Sequence, residues 1–290
     1  MTEELIDVAG TKIFTRRSGE GPVVLLLHGF PQTGHCWRYV ARHLQKRFDV
    51  IVPDVPGFGR SDRPPESDAG AVAAVLDDYL DRLGVEKATI VGHDWGGAFS
   101  FRMALDHQPR VERLVITNSP FREMSLWRAW YIMYFNIPLL PELSFRALGN
   151  RLIEGALKGG SRGRGVFDDA AVRVYQDAYA TNERVVSALA YYRTTTRRSL
   201  AKQVRGRFRG GRGSLRPTGI EGDRPRRIVA PTLLVWGMKD PVLTPALIPG
   251  IVREIPHAEV VELDEVGHFV PEEAPSELGE AIERFAAPAS

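Results

Sequence analysis

The chain lacks most of the features that would mark a membrane, secreted or nucleic-acid-binding protein. Its 290 residues contain one cysteine, Cys36, so neither an intrachain disulfide nor a cysteine metal cluster is available, and a reducing compartment fits. Uninterrupted apolar runs fall far short of the roughly 20 residues that cross a bilayer. The opening MTEELIDVAG has no basic region followed by an apolar one, as a secretory signal would. Charge of one sign is missing too: 38 Lys and Arg face 36 Asp and Glu, a net +2. That balance gives no general electrostatic pull towards nucleic acid or lipid. The expectation is a soluble, cytoplasmic protein, with monomer and homodimer both left open.

What is present is ordinary globular composition, 43% hydrophobic and 26% charged, enough for one large α/β domain carrying an insertion. Short unalternating apolar runs punctuate the chain: Val23–Leu27, Asp49–Val52, Ala88–Val91, Leu114–Thr117, Thr232–Trp236 and Glu259–Leu263. Such runs suit parallel strands covered on both faces. Helical stretches between them imply right-handed crossovers and a mostly parallel, doubly wound sheet. The opening segment, Leu5–Val8, Gly10, then Lys12–Thr15, reads as an antiparallel hairpin at the sheet edge.

The strand rhythm stops after residue 117 and resumes near 231. The aromatic and leucine-rich stretches between, Leu126–Phe135 and Ala170–Tyr192, read as helices of a cap placed on the sheet. The expected division is core over 1–119, helical cap with its return loop over 120–227, and core again over 228–290. Residues 205–227 are rich in Arg and Gly without periodicity. The plain reading is a solvated loop; the sharper one, for 205–216, is a phosphate-tracking RNA segment, with only Phe208 as an aromatic.

Residues 91–97 read V-G-H-D-W-G-G. An apolar run, a small residue, a polar residue among glycines and then a helical stretch is the pattern of a strand-to-helix elbow. Gly92, Gly96 and Gly97 supply the small neighbours that a tight turn requires. Asp94 occupies the exposed position, where helix N–H groups favour its charged form. A plainer role as helix N-cap accounts for the aspartate and not for the glycines.

A carboxylate nucleophile forms an ester that water must then cleave, which calls for a base and a group orienting that base. His268, in Asp264-Glu265-Val266-Gly267-His268-Phe269, follows the last strand. Asp240, in Trp236-Gly237-Met238-Lys239-Asp240-Pro241, follows the strand before it. Nucleophile, acid and histidine then run in the α/β-hydrolase order. His28-Gly29-Phe30-Pro31 follows the first parallel strand, so the backbone N–H groups of Phe30 and Trp95 are the expected oxyanion donors. His35, His43, His107 and His257 lie in polar contexts, and His93 fills the elbow.

With these motifs the chain resembles the α/β-hydrolase superfamily over nearly its whole length, and within it the epoxide hydrolase-like branch. HGFP (28–31), PGFGRSDRP (56–64), GHDWGG (92–97), WGMKDPVL (236–243) and GHF (267–269) carry the resemblance. It implies two cap tyrosines that hydrogen-bond an epoxide oxygen, carried over to Tyr131 and Tyr192, with Tyr134 and Tyr191 as rivals. It implies an epoxide substrate opened by Asp94, and neither a metal nor an organic cofactor.

The aspartate itself narrows the chemistry. A carboxylate attacking an acyl carbon yields an anhydride, whereas displacement at a saturated carbon yields a stable ester. Epoxides and alkyl halides are therefore the candidates. An epoxide leaves as an alkoxide that needs O–H donors, and a halide needs N–H donors. Dehalogenase relatives typically place Asn in the third position of HGxP, or a second halide-binding tryptophan in the cap. Here Phe30 takes that third position, and its side chain cannot donate, while Trp127 and Trp130 keep the halide alternative open. Fluoroacetate dehalogenases share HGFPQT but carry arginine where this chain has Trp95. A non-catalytic ligand-binding member of the fold is the remaining alternative.

Overall fold

The computed structural model describes residues 1–121, 130–163, 166–208 and 227–287. The hairpin expected at the start is β1 (Thr2–Val8) paired antiparallel with β2 (Thr11–Ser18). The unalternating runs become β3 (Val23–Leu27), β4 (Asp49–Pro53), β5 (Ala88–His93), β6 (Val111–Thr117), β7 (Thr232–Gly237) and β8 (Glu259–Leu263). Every residue of β4, β5 and β7 is buried, so both faces of the sheet must be covered. At its outer edge β1 carries the exposed Glu3 and Glu4, charges that discourage pairing with another sheet.

The eight strands lie in the order β1-β2-β4-β3-β5-β6-β7-β8. From β4 to β8 neighbouring strands are parallel, and β2 meets β4 antiparallel. The chain leaves β3 towards one side to make β4, then returns to make β5 on the other side. Strand order therefore reverses between β3 and β5, and a crevice opens at their carboxyl ends.

Core helices α1 (Arg38–Leu44), α2 (Ala69–Arg82) and α3 (Trp95–Asp106) connect the first strands. Asp68 starts α2 by accepting hydrogen bonds from the N–H groups of Gly70 and Ala71, which an N-cap carboxylate does well. Among the described residues five helices follow β6: α4 (Trp130–Asn136), α5 (Leu140–Leu148), α6 (Asn150–Gly160), α7 (Asp169–Ala178) and α8 (Asn182–Phe208). Beyond β7 come α9 (Ile248–Glu254), α10 (Val270–Glu273) and α11 (Pro275–Ala286). Helix α1 packs with α11, and α2 with α3.

Two expectations about the inserted helices change. The stretch Ala170–Tyr192 is two helices and not one, broken at Tyr179–Thr181. The side chain of Thr181 accepts from Arg184 N–H at 3.4 Å, a weak cap that starts a new helix. Helix α8 also runs to Phe208, four residues into the segment expected to be loop. The rest of the Arg/Gly-rich stretch, 209–226, lies outside the described residues, as do Leu126 and Trp127 of the first cap stretch. Arg193 of α8 ties three helices together. It donates to both oxygens of Glu142 on α5 at 2.6 and 3.0 Å, and to the Phe135 carbonyl on α4 at 2.9 Å. Among the described residues no helix is long and apolar enough to cross a membrane.

Candidate active site

Strand β5 ends on His93, and Asp94 turns the chain into α3 with φ 52° and ψ −118°. Few L-residues sit in that half of conformational space. Neighbours hold the turn. Ser119 donates its hydroxyl to the Asp94 carbonyl at 2.7 Å. Gly96 presses against the Leu27 carbonyl so closely that no Cβ fits, and a Cβ on Gly29 would strike the Asp94 carboxylate. These two glycines let β3 and β5 bring their carboxyl ends together.

The Asp94 carboxylate points into the crevice. Its Oδ1 accepts from Phe30 N–H at 2.9 Å, and the Trp95 N–H also favours its charged form. Burial pushes its pKa up, and the nearby His268 and those two N–H groups offset this only in part, so the net shift is upward. One of the two expected oxyanion donors, the Phe30 N–H, thus meets Oδ1.

His268 follows β8, and Asp240 follows β7. The imidazole Nδ1 lies 2.8 Å from Asp240 Oδ2, and Nε2 lies 4.0 Å from Asp94 Oδ2. The first is a hydrogen bond; the second is too long for one. Burial pulls the His268 pKa down, but Asp240, through charge and hydrogen bond, with Asp94 and Glu273, raises it above 6.5. Backbone N–H groups of Val242 and Leu243 donate to Asp240 Oδ1 at 2.7 and 2.9 Å.

Asn118 was not anticipated. It follows β6, is fully buried, and donates from Nδ2 to Asp240 Oδ2 at 2.6 Å while its Oδ1 accepts from Gly237 N–H at 3.0 Å. The available signal was its place at the carboxyl end of a parallel strand, where sites in such sheets collect. Other histidines serve elsewhere. Buried His28 accepts from Val55 N–H at Nε2, 2.9 Å away. His43 and His107 pair with Glu283 and Asp77, and His257 meets the Ala230 carbonyl.

Over Asp94 lies a cavity of about 440 Å³, lined among others by Phe30, Tyr131, Phe135, Tyr192, His268 and Phe269. The rings of Tyr131 and Tyr192 are 6.1 Å apart, edge to face. Burial raises the pKa of both hydroxyls, and the Asp94 charge adds to it. A hydrogen bond with the Trp95 side chain works against the rise at Tyr192. Of the two rivals, Tyr134 also lines the cavity. Tyr191 does not: it donates to the Pro56 carbonyl and stacks on Phe58 with ring centres 5.1 Å apart. Among the described residues no group of three or more His, Cys, Asp and Glu is arranged to hold a metal ion. The site can therefore present a buried carboxylate, two hydroxyl donors and an oriented imidazole to one small volume.

Comparison with known proteins identifies the fold family. A family model described as the alpha/beta hydrolase fold matches residues 22–275. Haloalkane dehalogenase 2 of Mycobacterium bovis is 30% identical over 279 residues, covering 92% of this chain and 89% of its own. Epoxide hydrolase 3 of Mus musculus is 26% identical over 282 residues, covering 92% of this chain and 71% of its own. The crystal structure of a Bacillus megaterium epoxide hydrolase in complex with an inhibitor superposes with a TM-score of 0.81 at 23% identity. It covers 98% of this chain and 99% of its own, a likeness of fold.

Proposed function

The chain belongs to the alpha/beta hydrolase fold family, and within it we propose that it is an epoxide hydrolase working through an ester on Asp94. One observation supports this most: Tyr131 and Tyr192 line the cavity over Asp94, both within the field of its carboxylate. Oxygen leaving groups need such O–H donors, and burial keeps these hydroxyls protonated to high pH.

In the first half, Asp94 Oδ2 attacks a ring carbon. That carbon's bond to oxygen breaks, and the oxygen takes the electron pair and then a proton from the tyrosine pair. In the second half, water loses a proton to His268 Nε2 and adds to the ester carbon. Negative charge collects on Oδ1, where the N–H groups of Phe30 and Trp95 receive it, an effect commonly worth a few kcal/mol. Collapse expels the diol, whose second oxygen takes the proton from His268. The Asp94 carboxylic acid left behind releases its proton through solvent to the tyrosinate, so that carboxylate, imidazole and both hydroxyls are restored. Asp240 orients the imidazole throughout.

Haloalkane dehalogenation is the second reading, favoured by the 30% identical relative. Against it stands Phe30, whose side chain offers a halide no donor. A paired assay separates the two, using a small aryl epoxide and a bromoalkane and following diol and bromide. The expected outcome is diol formation outpacing bromide release at least tenfold. His268→Gln is expected to accumulate protein heavier by the mass of the epoxide, and Asp94→Asn to form neither ester nor diol. Faster bromide release would favour the second reading, and full turnover by Asp94→Ala would falsify the covalent step.

A further inference from the structure

Helix α6 supplies one whole wall of the cavity. Its lining residues include Arg151, Gly155 and Gly159, with Leu152, Ala156 and Gly160 beside them. They recur at every fourth position, so they share one helix face from the first turn to the last. Gly160 adjoins the reacting end, its carbonyl accepting the His268 N–H at 2.9 Å. The exposed Arg151 stands at the other end, nine residues away, or roughly 13 Å at about 1.5 Å per residue. Between them a Cβ on Gly155 or Gly159 would meet nothing within 4 Å. Each glycine costs an exposed helix about 1 kcal/mol relative to alanine, and no close neighbour requires it here. The face is an open trough.

The charges are as uneven as the shape. Besides Asp94 and His268 at the floor, Arg151 is the one charged side chain on the wall among the described residues. Lys158 on the same helix is occupied by Glu154 at 2.5 Å, whereas Arg151 has no ion pair among the described residues. A guanidinium fork matches a carboxylate. A lone cation at the mouth of an apolar cavity also raises the local concentration of anions.

Resting on the epoxide reading, we propose that α6 selects the substrate: an epoxide on a slender, unbranched chain whose far end bears a carboxylate. The chain lies along the trough, with the ring at Asp94 and the carboxylate on Arg151. A branched chain would need depth that the floor of the trough, the α6 backbone, does not give.

Three probes test this with the intact protein: a terminal alkyl epoxide long enough to reach Arg151 and ending in a carboxylate, its methyl ester, and a short neutral epoxide. The carboxylate is expected to exceed its ester in kcat/KM by roughly threefold to tenfold at low salt, the range of an exposed ion pair. Salt should erode that ratio, and Arg151→Gln should bring it to one. Gly159→Leu, which improves helix propensity and so threatens folding little, should lower the long-to-short ratio at least tenfold. Equal rates for carboxylate and ester in the unaltered protein would overturn the role of Arg151. An unchanged long-to-short ratio in Gly159→Leu would overturn the trough. Turnover of the short epoxide with neither preference sinks this inference alone, and turnover of no epoxide sinks the reaction with it.

Discussion

At the scale of single residues, the site concentrates its cost at Asp94. A non-glycine residue in that conformation gives up roughly 1–3 kcal/mol, which the bonds from Phe30 and Ser119 to its carboxylate and carbonyl help to offset. Asn118 acts one step further from the chemistry, since it bonds the same Asp240 oxygen that His268 uses. Replacing it by alanine removes one of the two bonds on Asp240 Oδ2, while Val242 and Leu243 N–H still hold Oδ1. It also leaves the buried Gly237 N–H without its acceptor, a loss of about 1–3 kcal/mol. In the proposed mechanism the imidazole is needed only for the second half-reaction. Asn118→Ala is therefore expected to slow ester hydrolysis about tenfold while leaving ring opening nearly unchanged, so that ester accumulates. Stopped-flow fluorescence of Trp95, which adjoins Asp94, measures both phases. Equal slowing of the two would remove Asn118 from this role.

At the scale of elements, a buried knot joins the inserted helices to the core. Glu272 of α10 accepts from Arg38 of α1 at 2.7 Å and from the Tyr175 hydroxyl of α7. Burial raises the Glu272 pKa against the pull of Arg38 and Tyr175. Removing one partner from such a pair strands the others. Because Arg38 keeps some solvent, with 23% of its side chain exposed, the loss should fall below that of a fully buried pair. Glu272→Ala is expected to cost about 2–3 kcal/mol, read by urea denaturation; a change below about 0.5 kcal/mol would mean the knot is electrostatically neutral. The knot lies four residues beyond His268, so the helix that follows the base also anchors α7.

Over the whole molecule, buried imidazoles set how stability responds to acid. Burial lowers the pKa values of His28, His35 and His93 below the ordinary 6.5, His35 to about 4. As pH falls below 6.5 the unfolded chain takes up protons that the fold refuses, so stability falls with pH. His268 runs the other way: its raised pKa contributes stability below 6.5 that is lost as pH rises through the folded value. Among the histidines, three groups against one lower stability between pH 7 and pH 5. The raised carboxyls of Asp94 and Glu272 work against that loss as they take up protons; the urea midpoint followed against pH reads the balance. The part due to His35, discounted for its partial exposure, is about 1 kcal/mol. His35→Phe should flatten the pH dependence by that amount, and an unchanged slope would contradict it.

The residue pattern by itself determined the parallel sheet, the edge hairpin, the elbow at Asp94 and the order of Asp94, Asp240 and His268. These depend on local signals: unalternating runs, small residues around a turn, and a polar residue just past a strand. Folding alone decided which tyrosines face the cavity. Tyr191 and Tyr192 are adjacent in α8, yet 3.6 residues per turn swings neighbours about 100° apart, and only packing on Phe58 or Trp95 assigns them sides. Asn118 meeting Asp240, and Arg151 standing at the mouth of the α6 trough, join segments distant in sequence or leave a wall open. No periodicity within one segment carries that information, because it exists only once the elements pack together.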